Sequence, residues 1–141
     1  MREIKFRAWN KKNRVMSSAL PLKIWMDNIA TDIGREKYLK DRDNIILMQY
    51  TGLKDKNGIE IYEGDILSVD EKEFTDKTNY EVKYFLDENY PAFDLEGWTG
   101  DANAFSEICG EQEWEMEVIG NIYENNHLLD NKEEQKATVS K

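Results

Sequence analysis

Residues 47–67 read LMQYTGLKDKNGIEIYEGDIL, and the fold turns on this stretch. With Ile45 and Ile46 ahead of it, the run to Tyr50 is a dense, partly β-branched strand. Asn57-Gly58 then reverses the chain, because the pair accepts positive φ at both central positions of a type I′ turn. Ile59 and Ile61 alternate with Glu60 and Tyr62 beyond it. Glu63-Gly64-Asp65 is a second tight turn, and Ile66 to Val69 is the next strand. Two reversals this close together favour a small, strongly bent sheet.

The same period of two extends outward. Ile4, Phe6 and Ala8 alternate with Lys5, Arg7 and Trp9. A polar turn at 10–13 leads to a second alternation over 15–20, which makes a β-hairpin. Pro21 interrupts, and Leu22–Met26 is expected as a further strand. Residues 27–44 read as a loop with one helical segment through Glu36–Leu39, capped by Thr31 or Asp32 and weakened by Gly34. On the other side, 70–78 is a polar connection and 79–86 a strand. A turn at 87–89 returns as 92–95. The stretch 97–110 is loop with a short helix over 102–108, and 114–120 is the last strand. Leu128-Leu129 is expected to dock as a terminal turn. The polar residues 130–141 are expected as a flexible tail behind a domain of residues 1–129. With about eight short strands and no long helix, the pattern is that of a mainly β, small barrel of antiparallel strands with at most short helical segments.

Composition excludes several function classes. The 141 residues carry 29 acids against 19 bases, a net charge of −10. That charge argues against generic binding to nucleic acid or anionic membrane. One cysteine, Cys109, excludes an internal disulfide and a multi-thiolate metal site. One histidine, His127, leaves neither a triad nor a His-rich metal site. No apolar run reaches the ~18 residues of a membrane span. The opening Met1-Arg2-Glu3-Ile4-Lys5 lacks the apolar stretch of a secretory signal, so a cytoplasmic protein is expected.

Three blocks carry a family resemblance: IKFRAW at 4–9, LMQYTGLKDKNGIEIYEGDIL at 47–67 and EVIGNIYENNHLL at 117–129. In this order and spanning most of residues 4–129, they resemble the YopX family of phage and prophage proteins. The resemblance implies a β-rich domain of SH3-like barrel character, at work in the cytoplasm of a bacterial host. It implies no enzyme activity and no cofactor.

The residues that could carry chemistry are few. Asp55-x-Asn57-Gly58 echoes half of a calcium loop, but aligning Gly58 with its sixth position places Leu53 and Gly64 where carboxylate ligands belong. A plain hairpin turn is the better account. Glu63 and Asp65 flank Gly64 and could do acid–base work or hold a divalent ion. Satisfying turn N–H groups is the simpler role for them. Cys109 reads as a buried or semi-buried, inert thiol. Tyr50 and Tyr62 flank the central loop, where a rigid barrel commonly carries recognition residues. Residues 2–14 hold six basic residues against one acidic, a net of +5, with Trp9 among them. A basic and aromatic patch suits single-stranded nucleic acid. Pairing with the five glutamates of 107–117, in the same chain or a second copy, is the competing account. The candidate binding set is therefore Arg7, Trp9, Tyr50, Thr51, Tyr62, Glu63 and Asp65. The expected function is binding without catalysis or cofactor. The expected partner is protein, either a second copy or a host factor. A nucleic-acid module using the N-terminal hairpin and a metal-dependent enzyme at Glu63 and Asp65 are the alternatives.

Overall fold

The computed structural model describes residues 3–71, 77–87, 90–100, 102–110 and 114–129. The expected tail at 130–141 and the turn residues 88–89 lie outside them. The fold is mainly β, with two antiparallel sheets and a few short helices. The chain forms two compact units, Met1–Gly52 and Leu53–Lys141.

In the first unit, β1 (Lys5–Asn10) turns back into β2 (Val15–Met16), with Trp9 opposite Met16 and Asn10 opposite Val15. Asn10 makes the turn. Its Oδ1 accepts the N–H groups of Lys12 and Asn13, each at 3.0 Å, and its carbonyl accepts Arg14 N–H at 2.7 Å. The expected second strand is shorter than its alternation suggested. At Ser17 the N–H still donates to the Ala8 carbonyl at 2.8 Å, but the return bond from Ala8 N–H goes to Ser17 Oγ, also at 2.8 Å, so the regular strand ends. Regular pairing with β1 resumes at β3 (Leu20–Pro21).

Leu22–Met26 is not a strand. It opens α1 (Leu22–Ala30), and Pro21 precedes the helix with φ −57°. The five residues LKIWM, apolar but for Lys23, are too few to show a period that separates strand from helix. Proline just before a first helical turn fits, since no N–H is needed there. Trp25 Nε1–H donates to the Phe6 carbonyl at 3.1 Å and ties the helix to β1. The segment read as mostly loop holds α2 (Asp32–Asp41) and a 3-10 turn at Arg42–Asn44. Thr31 is extended and receives Arg35 N–H at 2.9 Å, which places it at the start of α2 as the sequence suggested. β4 (Ile45–Lys54) pairs with β1 from Asn10 opposite Ile45 to Phe6 opposite Gln49. Its end continues into the second unit.

There β4 turns into β5 (Glu60–Tyr62), followed by β6 (Asp65–Glu71), β7 (Thr78–Asp87), β8 (Tyr90–Leu95), α3 (Ala104–Gly110) and β9 (Trp114–Asn121). The sheet order is β8-β7-β6-β9, and it curls into a half-barrel. Leu67, Val69, Val82, Leu95 and Met116 fill the inner face with Ile61. The short helix expected near 102–108 is present as α3. It buries Ala104, Phe105 and Ile108 into this core and packs against both edge strands, β8 and β9. Asn103 starts the helix. Its Oδ1 accepts the N–H groups of Phe105 and Ser106 at 2.9 and 3.3 Å, and its Nδ2 donates to the Phe93 carbonyl at 2.6 Å. The terminal turn also holds, since Asn79 Nδ2 donates to the Leu128 carbonyl at 3.0 Å.

Candidate functional site

The 55–65 segment is held by carboxylates and glycine. Asp55 N–H donates to the Ile59 carbonyl at 2.8 Å, and Gly58 N–H to the Asp55 carbonyl at 3.0 Å. Gly58 has φ 81°, whereas Asn57 keeps negative φ, so the turn is not type I′. It is a three-residue loop, a type I turn ending in a left-handed glycine. Asp55 selects it. Its Oδ1 accepts Asn57 N–H at 2.8 Å and Ile59 N–H at 2.9 Å. Its Oδ2 accepts Val118 N–H of β9 at 2.9 Å. Burial alone would raise this carboxyl, but the N–H groups of Val118, Ile59 and Asn57 and the Lys56 ammonium outweigh it and hold it below 3.8. Both oxygens already serve N–H groups, as the plain-turn reading requires.

Lys56 completes the clasp. Its N–H donates to the Met116 carbonyl at 3.1 Å. Its ammonium lies 3.6 Å from Glu115 and 3.7 Å from Glu117. The acidic run thus has a local partner within its own unit. Asp70 stands opposite Glu115 across β6 and β9, a like-charge pair that Lys56 helps to offset.

At the next turn, Asp65 is buried and its Oδ2 accepts Tyr62 N–H at 2.8 Å. Gly64, at φ 82°, donates its N–H to the Val82 carbonyl at 2.9 Å and accepts Ile122 N–H at 2.8 Å. Asp65 therefore has a structural role at this turn. Glu63 is half-buried beside it. Among the described residues, no three His, Cys, Asp or Glu side chains are grouped to hold a metal ion.

The other candidates are interior residues. Tyr62 is 4% exposed, and its hydroxyl donates to Glu60 Oε1 at 3.2 Å. In the first unit, Trp9 is 4% and Tyr50 5% exposed, and Thr51 is also buried. Lys5 stands over the Tyr50 ring at 5.5 Å. Half-buried Arg7 reaches Met48 Sδ at 3.8 Å. The structure brings Arg7, Trp9, Tyr50 and Thr51 together on adjacent strands β1 and β4, with little ring face exposed. Cys109 is exposed rather than buried, because α3 turns Ala104, Phe105 and Ile108 to the core and leaves Cys109 on another face, and His127 is exposed as well.

Sequence reasoning missed the surface at the outer end of β7 and β8. Val82 faces Leu95, Tyr84 faces Phe93 and Leu86 faces Pro91. The first pair is core, but Tyr84 is 42% and Leu86 86% exposed. The Tyr84 and Phe93 rings meet edge to face, 5.0 Å between centroids. An apolar ladder thus runs out of the core into solvent. Beside it lies an open cleft of about 500 Å³ lined by Phe85, Leu86, Asp94, Leu95, Glu96, Gly97 and Trp98. The only hint in the sequence was Glu96-Gly97-Trp98, a turn signal with an aromatic after it.

Glu81, on β7 nearby, is half-buried, and burial raises its carboxyl, with Lys83 opposing and Glu96 reinforcing the shift. The unfolded chain then gives up this proton first, so the group lowers stability as pH rises through the window between its unfolded and folded values. Glu81→Gln is expected to raise the melting temperature at pH 7 by about 1–3 °C. The gain should vanish on acidification, where the carboxyl is protonated in both states. Thermal scans at the two pH values check it.

The family model described as YopX protein matches residues 5–130. No curated protein matches the chain. Among solved structures, protein EF1440 from Enterococcus faecalis is similar at 26% identity and a TM-score of 0.53, covering 89% of this chain and 97% of that one. Protein yopX from Bacillus subtilis matches at 17% identity and a TM-score of 0.43, with the same coverages.

Proposed function

The chain belongs to the YopX family, and from that premise we propose that it is a phage or prophage accessory protein that acts by binding another protein rather than by catalysis. Its half-barrel is read here as SH3-like, a scaffold on which rigid strands present a face. One observation carries the proposal: the ladder from Val82 through Tyr84 to Leu86, which keeps its apolar character as it leaves the core. Exposed contiguous apolar surface is costly to leave in water and marks sites of association. The partner is a second copy or a host factor. The burial of Trp9 weakens the nucleic-acid reading, and the use of Asp65 as a turn acceptor weakens the enzymatic one. No helix among the described residues is long and apolar enough to cross a membrane.

The test compares the native protein with Leu86→Glu. Leu86 is so exposed that the variant should fold with an unchanged melting temperature. Size exclusion reads self-association, and affinity capture from the host bacterium reads another partner. The variant is expected to lose whichever the native protein shows. Association that ignores Leu86→Glu, salt-sensitive retention of single-stranded nucleic acid, or metal-dependent turnover would each overturn the proposal.

A further inference from the structure

The cleft beside the apolar ladder has the chemistry of a cation site. β8 ends in a four-residue turn in which Trp98 N–H donates to the Leu95 carbonyl at 3.2 Å and Gly97 has φ 83°. Glu96 keeps negative φ, so the turn is type II, with glycine at its required third position. The turn sets Glu96 and Trp98 along the cleft with Asp94.

The aromatic wall is fixed in advance. Trp98 Nε1–H donates to Glu107 Oε2 at 3.1 Å, and Glu107 Oε1 in turn accepts Ala102 N–H at 2.8 Å. The indole also makes T-shaped contacts with Tyr80 and Trp114, at 5.4 and 5.5 Å between centroids. A ring held this way loses little freedom when a ligand lies on it. Indole is the strongest aromatic partner for a cation.

The negative charges are also in place. Asp94 Oδ1 accepts Leu95 N–H at 2.8 Å and Ala104 N–H at 2.9 Å, which orients the carboxylate, and its Oδ2 makes no hydrogen bond among the described residues. Glu96 pairs with Lys83 at 3.5 Å, but both side chains are about half exposed. An ion pair of that kind is weak and readily exchanged. The net charge of −10 attracts a cation from a distance and repels an anion.

We propose that this cleft takes an arginine side chain of a partner protein, its guanidinium against the Trp98 indole and between the Asp94 and Glu96 carboxylates. Arginine fits better than lysine because its planar fork can stack on an aromatic face and still donate to carboxylates. Its aliphatic stem would lie along Phe85 and Leu86. This assignment rests on the protein-binding reading above and adds the chemistry that the partner must present.

The test is a titration of the full chain followed by nuclear magnetic resonance at the Trp98 indole and the amides of 95–97. The probes are Nα-acetyl-arginine amide and its neutral isostere, Nα-acetyl-citrulline amide. Arginine amide is expected to give a saturable shift confined to these signals, and the citrulline analogue to bind about tenfold more weakly. Glu96→Gln should weaken arginine binding several-fold while leaving citrulline binding unchanged, and should fold normally because Glu96 is exposed. Equal binding of the two amides, shifts spread elsewhere, or no saturable shift would overturn the assignment. If the probe is silent while capture still depends on Leu86, only the cleft assignment falls. If arginine amide binds but no association depends on Leu86, the protein-binding reading falls and the cation site stands.

Discussion

Replacing Asp55 with alanine is expected to destabilise the second unit by about 3–4 kcal/mol, the largest effect of any exchange at the central turn. One carboxylate serves three backbone N–H groups, those of Asn57, Ile59 and Val118. Hydrogen bonds to a charged acceptor contribute more than neutral ones, and their loss leaves donors in a part-buried place unpaired. Asp55→Asn should fall between alanine and the native residue. It keeps one acceptor oxygen but sets an NH₂ group against a backbone donor. Urea denaturation of the three proteins measures the order. The pH dependence supplies an independent check. The folded carboxyl is held below 3.8, so its contribution is fully present above the unfolded value and is lost as pH falls through the folded one. The alanine variant should lack that part of the acid loss, and the gap between the two proteins should narrow below about pH 4.

Gly64→Val is expected to cost about 2–4 kcal/mol, while Gly58→Ala should cost only about 1. Both glycines sit at positive φ, 82° and 81°. Their surroundings differ. A Cβ on Gly58 would meet nothing within 4 Å, so only the backbone penalty applies. Gly64 is buried, and its two peptide groups are bonded to Val82 and Ile122. A β-branched side chain there must strain a backbone whose N–H and C=O are both committed to hydrogen bonds inside the fold. Hydrogen exchange at Gly64 and Ile122 should accelerate in the valine variant. Equal losses at the two positions would show that φ alone decides both.

The strands were legible where alternation was long. β1, β7 and β9 each alternate over six residues or more, and the glycine turns at 58 and 64 lie where the sequence put them. α1 was not legible, because a short, mostly apolar run after Pro21 is compatible with either secondary structure. The type of the central turn was missed for a local reason. Asn-Gly alone suggests type I′, but the Asp55 side chain two residues earlier binds the backbone and selects a different loop. The burial of Tyr50 and Tyr62 was illegible for a non-local reason: adjacency to a turn says nothing about which face a ring takes. The same holds for the cleft. Nothing local links Phe85 to Trp98 until β8 returns beside β7 and the 95–98 turn sets them along one opening.

The order of the half-barrel's strands also bears on how the chain is made. β6 lies between β7 and β9, and β9 is the last strand in sequence. Asp55 reaches across 63 positions to Val118, and Gly64 accepts Ile122 N–H. A chain emerging from a ribosome can form the β6-β7-β8 meander early. It cannot seat the Asp55 carboxylate or cover the free side of β6 until residues 114–122 are out. During that interval β6 is a bare, apolar edge open to pairing with other chains. Synthesis that stalls between α3 and β9 would leave a product prone to aggregation, and release of the last strand is the event that ends the exposure.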